Sequence, residues 1–115
     1  MCELTDPDLV HLTLETGHLY KAGVNLIELI NTCGERIDHV HFKDVRNGRF
    51  AEFGKGIIDF SMIMKSLKNI GYNGWVIVED EVNSPDIHLV GSTTTTPLET
   101  AKNSRKYLEM LDKIT

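Results

Sequence analysis

His39-Val40-His41-Phe42-Lys43-Asp44 is the stretch on which the fold turns. Read as a strand, it sends alternate side chains to opposite faces: His39, His41 and Lys43 to one, Val40 and Phe42 to the other. One face is apolar. The other carries ionisable groups suited to a metal or a polar substrate. A strand at a wet surface shows the same pattern with idle groups, so repetition along the chain decides between the two. Val10-His11-Leu12-Thr13-Leu14-Glu15 and Trp75-Val76-Ile77-Val78-Glu79 repeat it. The three runs end near potential ligands, Glu15, His41 and Glu79, and helix-like segments follow each. Strand–helix repetition predicts a parallel α/β architecture, β-α-β-α-β-α, in which sites gather at the carboxyl ends of the strands.

Working outward, Thr5-Asp6-Pro7-Asp8 is turn chemistry that introduces a first strand over roughly 9–15. Gly17 allows a sharp turn, so Glu15 and His18 can address one site. Asn25 is placed to cap a helix with Glu28 as its capping-box partner; Leu26, Ile27 and Ile30 form the apolar stripe, and Gly34 suits the C′ position. The central strand covers roughly 36–43, followed by a charged loop from Asp44 to Arg49. In Phe53-Gly54-Lys55-Gly56 the glycines are too few and too close for a P-loop, which leaves a tight loop. Asp59 caps a helix whose stripe is Phe60, Ile63, Met64, Leu67 and Ile70; Gly71 ends it and Asn73-Gly74 turns into the third strand. Asp80 to Thr96 is a long polar stretch, read as partly disordered. Thr96, Pro97 and Glu99 open a last helix with Leu98, Ala101, Leu108 and Leu111 expected on its buried side.

The composition is that of a soluble globular protein, and residues 1–115 make one domain. A net charge of -5 disfavours nucleic acid, whose phosphates require a basic face. No apolar run is long enough to cross a bilayer, and the opening residues are neither basic nor apolar, so a cytoplasmic protein without a secretory signal is expected. Cys2 and Cys33 lack metal or redox spacing and read as reduced thiols. Three parallel strands alone leave two edges and one face bare. Either further strands precede this segment or copies of the chain cover the gap.

Leu14-Glu15-Thr16-Gly17-His18, the stretch from His39 to Arg46, Gly54-Lys55-Gly56-Ile57-Ile58-Asp59-Phe60 and the stretch from Gly71 to Glu79 together resemble the xylose isomerase-like sugar isomerase/epimerase superfamily. The inosose dehydratase-like group is the nearest in pattern, and the resemblance runs nearly end to end. It implies a TIM barrel, of which this chain supplies the last three strand–helix units. It also implies a divalent metal at the barrel mouth, Mn or Co first and Mg or Zn as alternatives, in keeping with a carboxylate and imidazole ligand set. By motif position Glu15, His41 and Glu79 resemble metal ligands. Glu15 stands where the family usually has Asp, and a further glutamate ligand would lie upstream. His18 and Lys43 resemble substrate-contacting residues, Arg46 is the candidate substrate-gripping arginine, and His39 reads as a supporting layer below the site. Glu79 and Lys43 are the catalytic candidates.

Three functions follow from these residues. The first is a metal-dependent lyase, isomerase or epimerase acting on a ketose or inosose in carbohydrate metabolism, myo-inositol catabolism included, by proton abstraction next to a ketone. The second is a non-catalytic barrel segment that persists by self-association or with a missing N-terminal part. The third, an abasic-site endonuclease on the same superfamily fold, conflicts with the acidic charge balance.

Overall fold

The computed structural model describes residues 2–80 and 96–115. Its centre is a three-stranded sheet in the order β1-β2-β5, all parallel, formed by β1 (Leu12–Glu15), β2 (Ile37–Phe42) and β5 (Val76–Val78). Leu14 lies beside Val40, and Val40 beside Val76, so the apolar residues of the alternating pattern share one face. Leu14, Val40 and Phe42 are fully buried, in one core with residues of α2 (Leu26–Cys33) and α3 (Phe60–Asn69). Glu15, His41 and Ile77 form a row on the opposite face. Among the described residues β1 and β5 each pair with β2 alone, so both sheet edges are unpaired. Trp75, at the start of β5, is 79% exposed.

The first crossover holds two helices. α1 (Thr16–Lys21) springs directly from β1, and α2 follows after Gly23 turns the chain at φ +81°. Asn25 caps α2 as expected, its side chain accepting from the Glu28 N–H at 3.1 Å. Gly34 departs from the expected left-handed C′ role: at φ -56° it stays right-handed and opens a short 3-10 turn, Gly34–Arg36. Space explains the glycine, because a Cβ there would sit 2.8 Å from Ile70 Cδ1. In α3 the predicted stripe is borne out: Asp59 caps it, and Phe60, Ile63, Met64 and Leu67 are buried.

The charged loop expected from Asp44 to Arg49 is instead an antiparallel hairpin, β3 (Asp44–Arg46) and β4 (Arg49–Ala51). Asn47 and Gly48 both take positive φ, 53° and 75°, the backbone that lets a two-residue turn follow the twist of its strands. Asp44 anchors this unit. Its buried carboxylate accepts four backbone N–H groups: from Val45 at 2.9 Å, Gly54 at 3.1 Å, Gly56 at 2.9 Å and Ile58 at 3.3 Å. The Gly54–Gly56 loop thus turns its amides on a carboxylate of the same chain.

α4 (Pro97–Ile114) begins with the complete Thr96–Glu99 capping box. Its buried side differs from expectation. Thr100, Ser104 and Leu111 are buried, Leu98 and Ala101 are exposed, and Leu108 is half-buried. Ser104 turns inward because its hydroxyl donates to Asp80 Oδ2 at 2.7 Å, while Asp80 Oδ1 accepts from the Phe53 N–H at 3.0 Å. Ala101 and Leu108 line, with Val76 and Val78, a groove of about 540 Å³ between β5 and α4. Phe42, Phe53, Phe60 and Tyr107 complete the core as a chain of ring contacts with centroids 4.7–5.9 Å apart.

The two cysteines are also corrected. Cys2 and Cys33 form a disulfide, their Cα atoms 6.4 Å apart. The spacing of 31 residues gave no local signal. Parallel pairing brings the lead into β1 beside the end of α2, and Arg36 fixes it there by donating to the carbonyls of Cys2, Thr5 and Val10. The stretch read as partly disordered lies, from 81 to 95, outside the described residues. Among the described residues no helix is long and apolar enough to cross a membrane.

Replacing Asp44 strips buried N–H groups of their acceptor. Asp44→Ala should lower the free energy of unfolding by about 3 kcal/mol, read from urea denaturation. Gly56→Ala, whose methyl would overlap the Asp44 carboxylate, should destabilise the same hairpin. Unchanged midpoints in both would remove Asp44 as an anchor.

Candidate functional site

The ends of the three strands are held in step by backbone-level contacts. Thr16 Oγ1 donates to the Lys43 carbonyl at 2.8 Å and accepts from the Lys43 N–H at 2.9 Å, which ties the end of β1 to the end of β2. The Glu79 N–H donates to the Phe42 carbonyl at 2.9 Å, carrying the β2–β5 pairing one residue further. Gly17 leaves room for Lys43, since a Cβ there would meet the lysine side chain and carbonyl at 3.1 Å.

Glu79 joins two of the candidate residues. Its Oε1 lies 3.2 Å from Lys43 Nζ and its Oε2 lies 3.5 Å from His41 Nδ1. The Lys43 side chain is 1% exposed and that of Glu79 41%. Burial pushes the Glu79 carboxyl up, but the hydrogen bonds and charges of Lys43 and His41 outweigh it and hold the group below its ordinary value. The His39 ring tilts against His41, centroids 5.1 Å apart, one step further from the strand ends.

Glu15 and His18 form a second pair. Glu15 is the N-cap of α1: its Oε2 accepts from the His18 N–H at 2.6 Å and lies 3.1 Å from His18 Nδ1. Its Oε1 is buried without a hydrogen-bond partner among the described residues. Glu15 and His41 are direct neighbours in the β1–β2 register. Arg46 stands apart, exposed beside the hairpin turn and opposite Arg49.

Glu15, His41 and Glu79 are of the right chemistry for a divalent cation, and the orphaned Glu15 Oε1 is the atom such a cation would satisfy. As they stand, Glu15 is turned to His18 and Glu79 to Lys43, and among the described residues no three His, Cys, Asp or Glu side chains converge closely enough to hold a metal.

Sequence reading passed over several residues that shape this region. Phe50 on β4 is 8% exposed and meets His18 edge-on, centroids 4.9 Å apart, while Lys43 Nζ lies 4.1 Å and Lys21 Nζ 4.5 Å from its ring centre. Glu52 is fully buried; Lys55 Nζ lies 2.7 Å from its Oε2 without the alignment of a hydrogen bond. Burial raises the Asp80 carboxyl, and the nearby Glu52 charge adds to this, against the bonds from Ser104 and Phe53 and the charge of Lys43. The Asn47-Gly48 pair was the signal that would have placed Phe50 on a hairpin strand.

A parallel α/β sheet with ionisable groups gathered at its carboxyl ends is the architecture of a segment of a parallel α/β barrel. The chain belongs to the xylose isomerase-like TIM barrel family, whose model matches residues 1–114. It is 35% identical to the inosose dehydratase of Lacticaseibacillus casei, over 92% of this chain and 39% of that protein. It is likewise 35% identical to that of Geobacillus kaustophilus (strain HTA426), over 96% of this chain and 40% of the relative. The chain thus spans about two-fifths of the relatives it matches. A xylose isomerase domain protein from Alicyclobacillus acidocaldarius superposes with a TM-score of 0.68 at 26% identity, over 89% of this chain and 37% of that one. An L-ribulose 3-epimerase shares the fold at a TM-score of 0.72 and 24% identity, over 90% of this chain and 36% of that one.

The lowered Glu79 value fixes the sign of its pH dependence. Pairing with Lys43 and His41 stabilises the fold above the ordinary glutamate range and is lost as pH falls through the lowered value. In metal-free protein the Glu79 carboxyl carbon, followed by NMR, should titrate below the usual glutamate midpoint. Lys43→Met should move that midpoint upward; a midpoint indifferent to Lys43 would contradict the pairing.

Proposed function

We propose that this chain is a single xylose isomerase-like segment, the last three strand–helix units of a divalent-metal-dependent sugar or polyol lyase or isomerase, inosose dehydratase-like in reaction. The observation that carries it is the Lys43–Glu79–His41 constellation at adjacent strand ends, 3.2 Å and 3.5 Å apart, in a chain of this family. The curated relatives, named inosose dehydratases, support a ketose or inosose as the small-molecule substrate.

Glu15, His41 and Glu79 would hold the cation, with Mn or Co the preferred ions and Mg or Zn alternatives. When bound, it supplies Lewis acidity toward a ketone and its neighbouring hydroxyl. The residues of the chain do the rest. Glu79, a carboxylate held below its ordinary value by Lys43 and His41, accepts the proton from the carbon next to the ketone. Lys43 keeps its ammonium beside that carboxylate and offers a donor to the oxygen on which negative charge develops. His18 binds substrate hydroxyls; Arg46, beside the hairpin turn and apart from the strand-end residues, is left out of this set. Loss of the β-hydroxyl together with the proton that Glu79 has accepted, as water, completes a dehydration; an epimerisation needs in addition an acid on the opposite face of that carbon to deliver a proton there. His39 supports His41 from below.

A second reading rests on a separate observation, the two sheet edges unpaired among the described residues and the exposed Trp75 and Ile77. In it the chain is a non-catalytic barrel segment that associates with copies of itself or with an N-terminal barrel part.

Turnover of inosose or a ketohexose by the chain within a reconstituted full barrel, assayed with Mn or Co and sized by native mass spectrometry in the same buffer, separates the two. Under the first reading a chelator abolishes dehydration, added metal restores it, and His41→Ala lowers kcat/KM on the order of 100-fold or more. Oligomers without metal-dependent turnover would favour the second.

A further inference from the structure

Phe50 is a buried aromatic residue on the short strand β4, well apart in sequence from every other candidate residue except Arg46 and Lys43. Three polar side chains nonetheless meet on its ring. Lys43 comes from the end of β2, with Nζ 4.1 Å from the ring centre. Lys21 comes from the last turn of α1, at 4.5 Å. His18 comes from the same helix and packs edge-on at 4.9 Å. Lys43 is fully buried with its Nζ 3.2 Å from Glu79 Oε1, and a buried amino group needs its directions fixed by something other than water. The negative face of an aromatic ring attracts an ammonium without offering it a competing carboxylate.

We propose that Phe50 is a positioning residue: its ring holds the Lys43 ammonium in place against Glu79 and seats His18 beside Glu15, with Lys21 held on the same ring. The proposal deepens the reading of the Lys43–Glu79 pair as the working centre and rests on it for its functional meaning, while its geometry stands on the ring contacts alone. It also gives the hairpin a task. β3 and β4 carry Phe50 over the strand ends, and Asp44 fixes the start of β3.

The test reads the lysines directly and needs no turnover, so failure of the lyase reading and failure of this proposal are separate results. The intact chain, Phe50→Leu and Phe50→Tyr are treated with an amine-acylating reagent, and modification at each lysine is followed by mass spectrometry. Lys68, paired with Asp112 at 2.8 Å far along the chain, serves as the internal standard. Lys43 should be acylated about five-fold faster in Phe50→Leu than in the parent, relative to Lys68, as expected for loss of one cation–π contact. Lys21, on the same ring, should rise in the same variant, and Phe50→Tyr should retain the protection of both. Equal Lys43 rates in parent and Phe50→Leu would overturn the proposal. So would a Phe50→Tyr protein that loses protection, or a Phe50→Leu protein in which Lys43 and Lys68 rise together, since the effect would then lie in general loosening of the fold.

Discussion

The Asp44 carboxylate and the four N–H groups from which it accepts hold the hairpin and the Gly54–Ile58 segment to the end of β2. A carboxylate taken out of water loses hydration that only several charge-assisted hydrogen bonds offset. Here burial still wins the contest, and the carboxyl remains raised above its ordinary value despite those bonds. The arrangement is therefore a connector more than a source of net stability. One side chain closes the hairpin, the Gly54–Gly56 loop and the approach to α3 onto the end of β2. Phe53 and Phe60 enter the core on either side of that loop, and Phe50 reaches the strand ends from the hairpin.

Below this knot the sheet separates two environments with a period of two. Leu14, Val40 and Phe42 go to the core, while Glu15 and His41 go to the opposite face. The reciprocal Thr16–Lys43 bonds prevent the two strand ends from sliding, and a slip of one residue would exchange the faces. Geometry at the strand ends is thus inherited from backbone pairing, with the side chains adding only the last few ångströms.

The parts legible in the sequence were those decided locally. Alternation in three runs gave the parallel sheet, and the caps at Asn25, Asp59 and Thr96 gave the starts of three helices. What escaped depended on groups distant in sequence. Asp44 read as one charge in a loop because three of its four partners lie ten to fourteen residues on. Cys2 and Cys33 met only through the parallel pairing of β1 and β2. In α4 the helical stripe named Leu98 and Ala101, yet Ser104 and Thr100 went inward, with Ser104 drawn by Asp80, a residue whose side chain no periodicity describes. For the site, motif order selected the residues, but only the fold showed that Glu79 reaches both His41 and Lys43, that Glu15 engages His18, and that Arg46 stays by the turn.

Glu15 uses its two carboxylate oxygens for different ends. Oε2 closes the first turn of α1 through the His18 N–H, and Oε1 is buried without a hydrogen-bond partner among the described residues. A ligand captured at Oε1 need not unfasten the helix, so the reorganisation that usually accompanies binding at a flexible carboxylate has been completed during folding. The same economy runs in reverse: whatever frays the first turn of α1 also releases the donor, which makes the occupancy of this position a reporter of local helix opening.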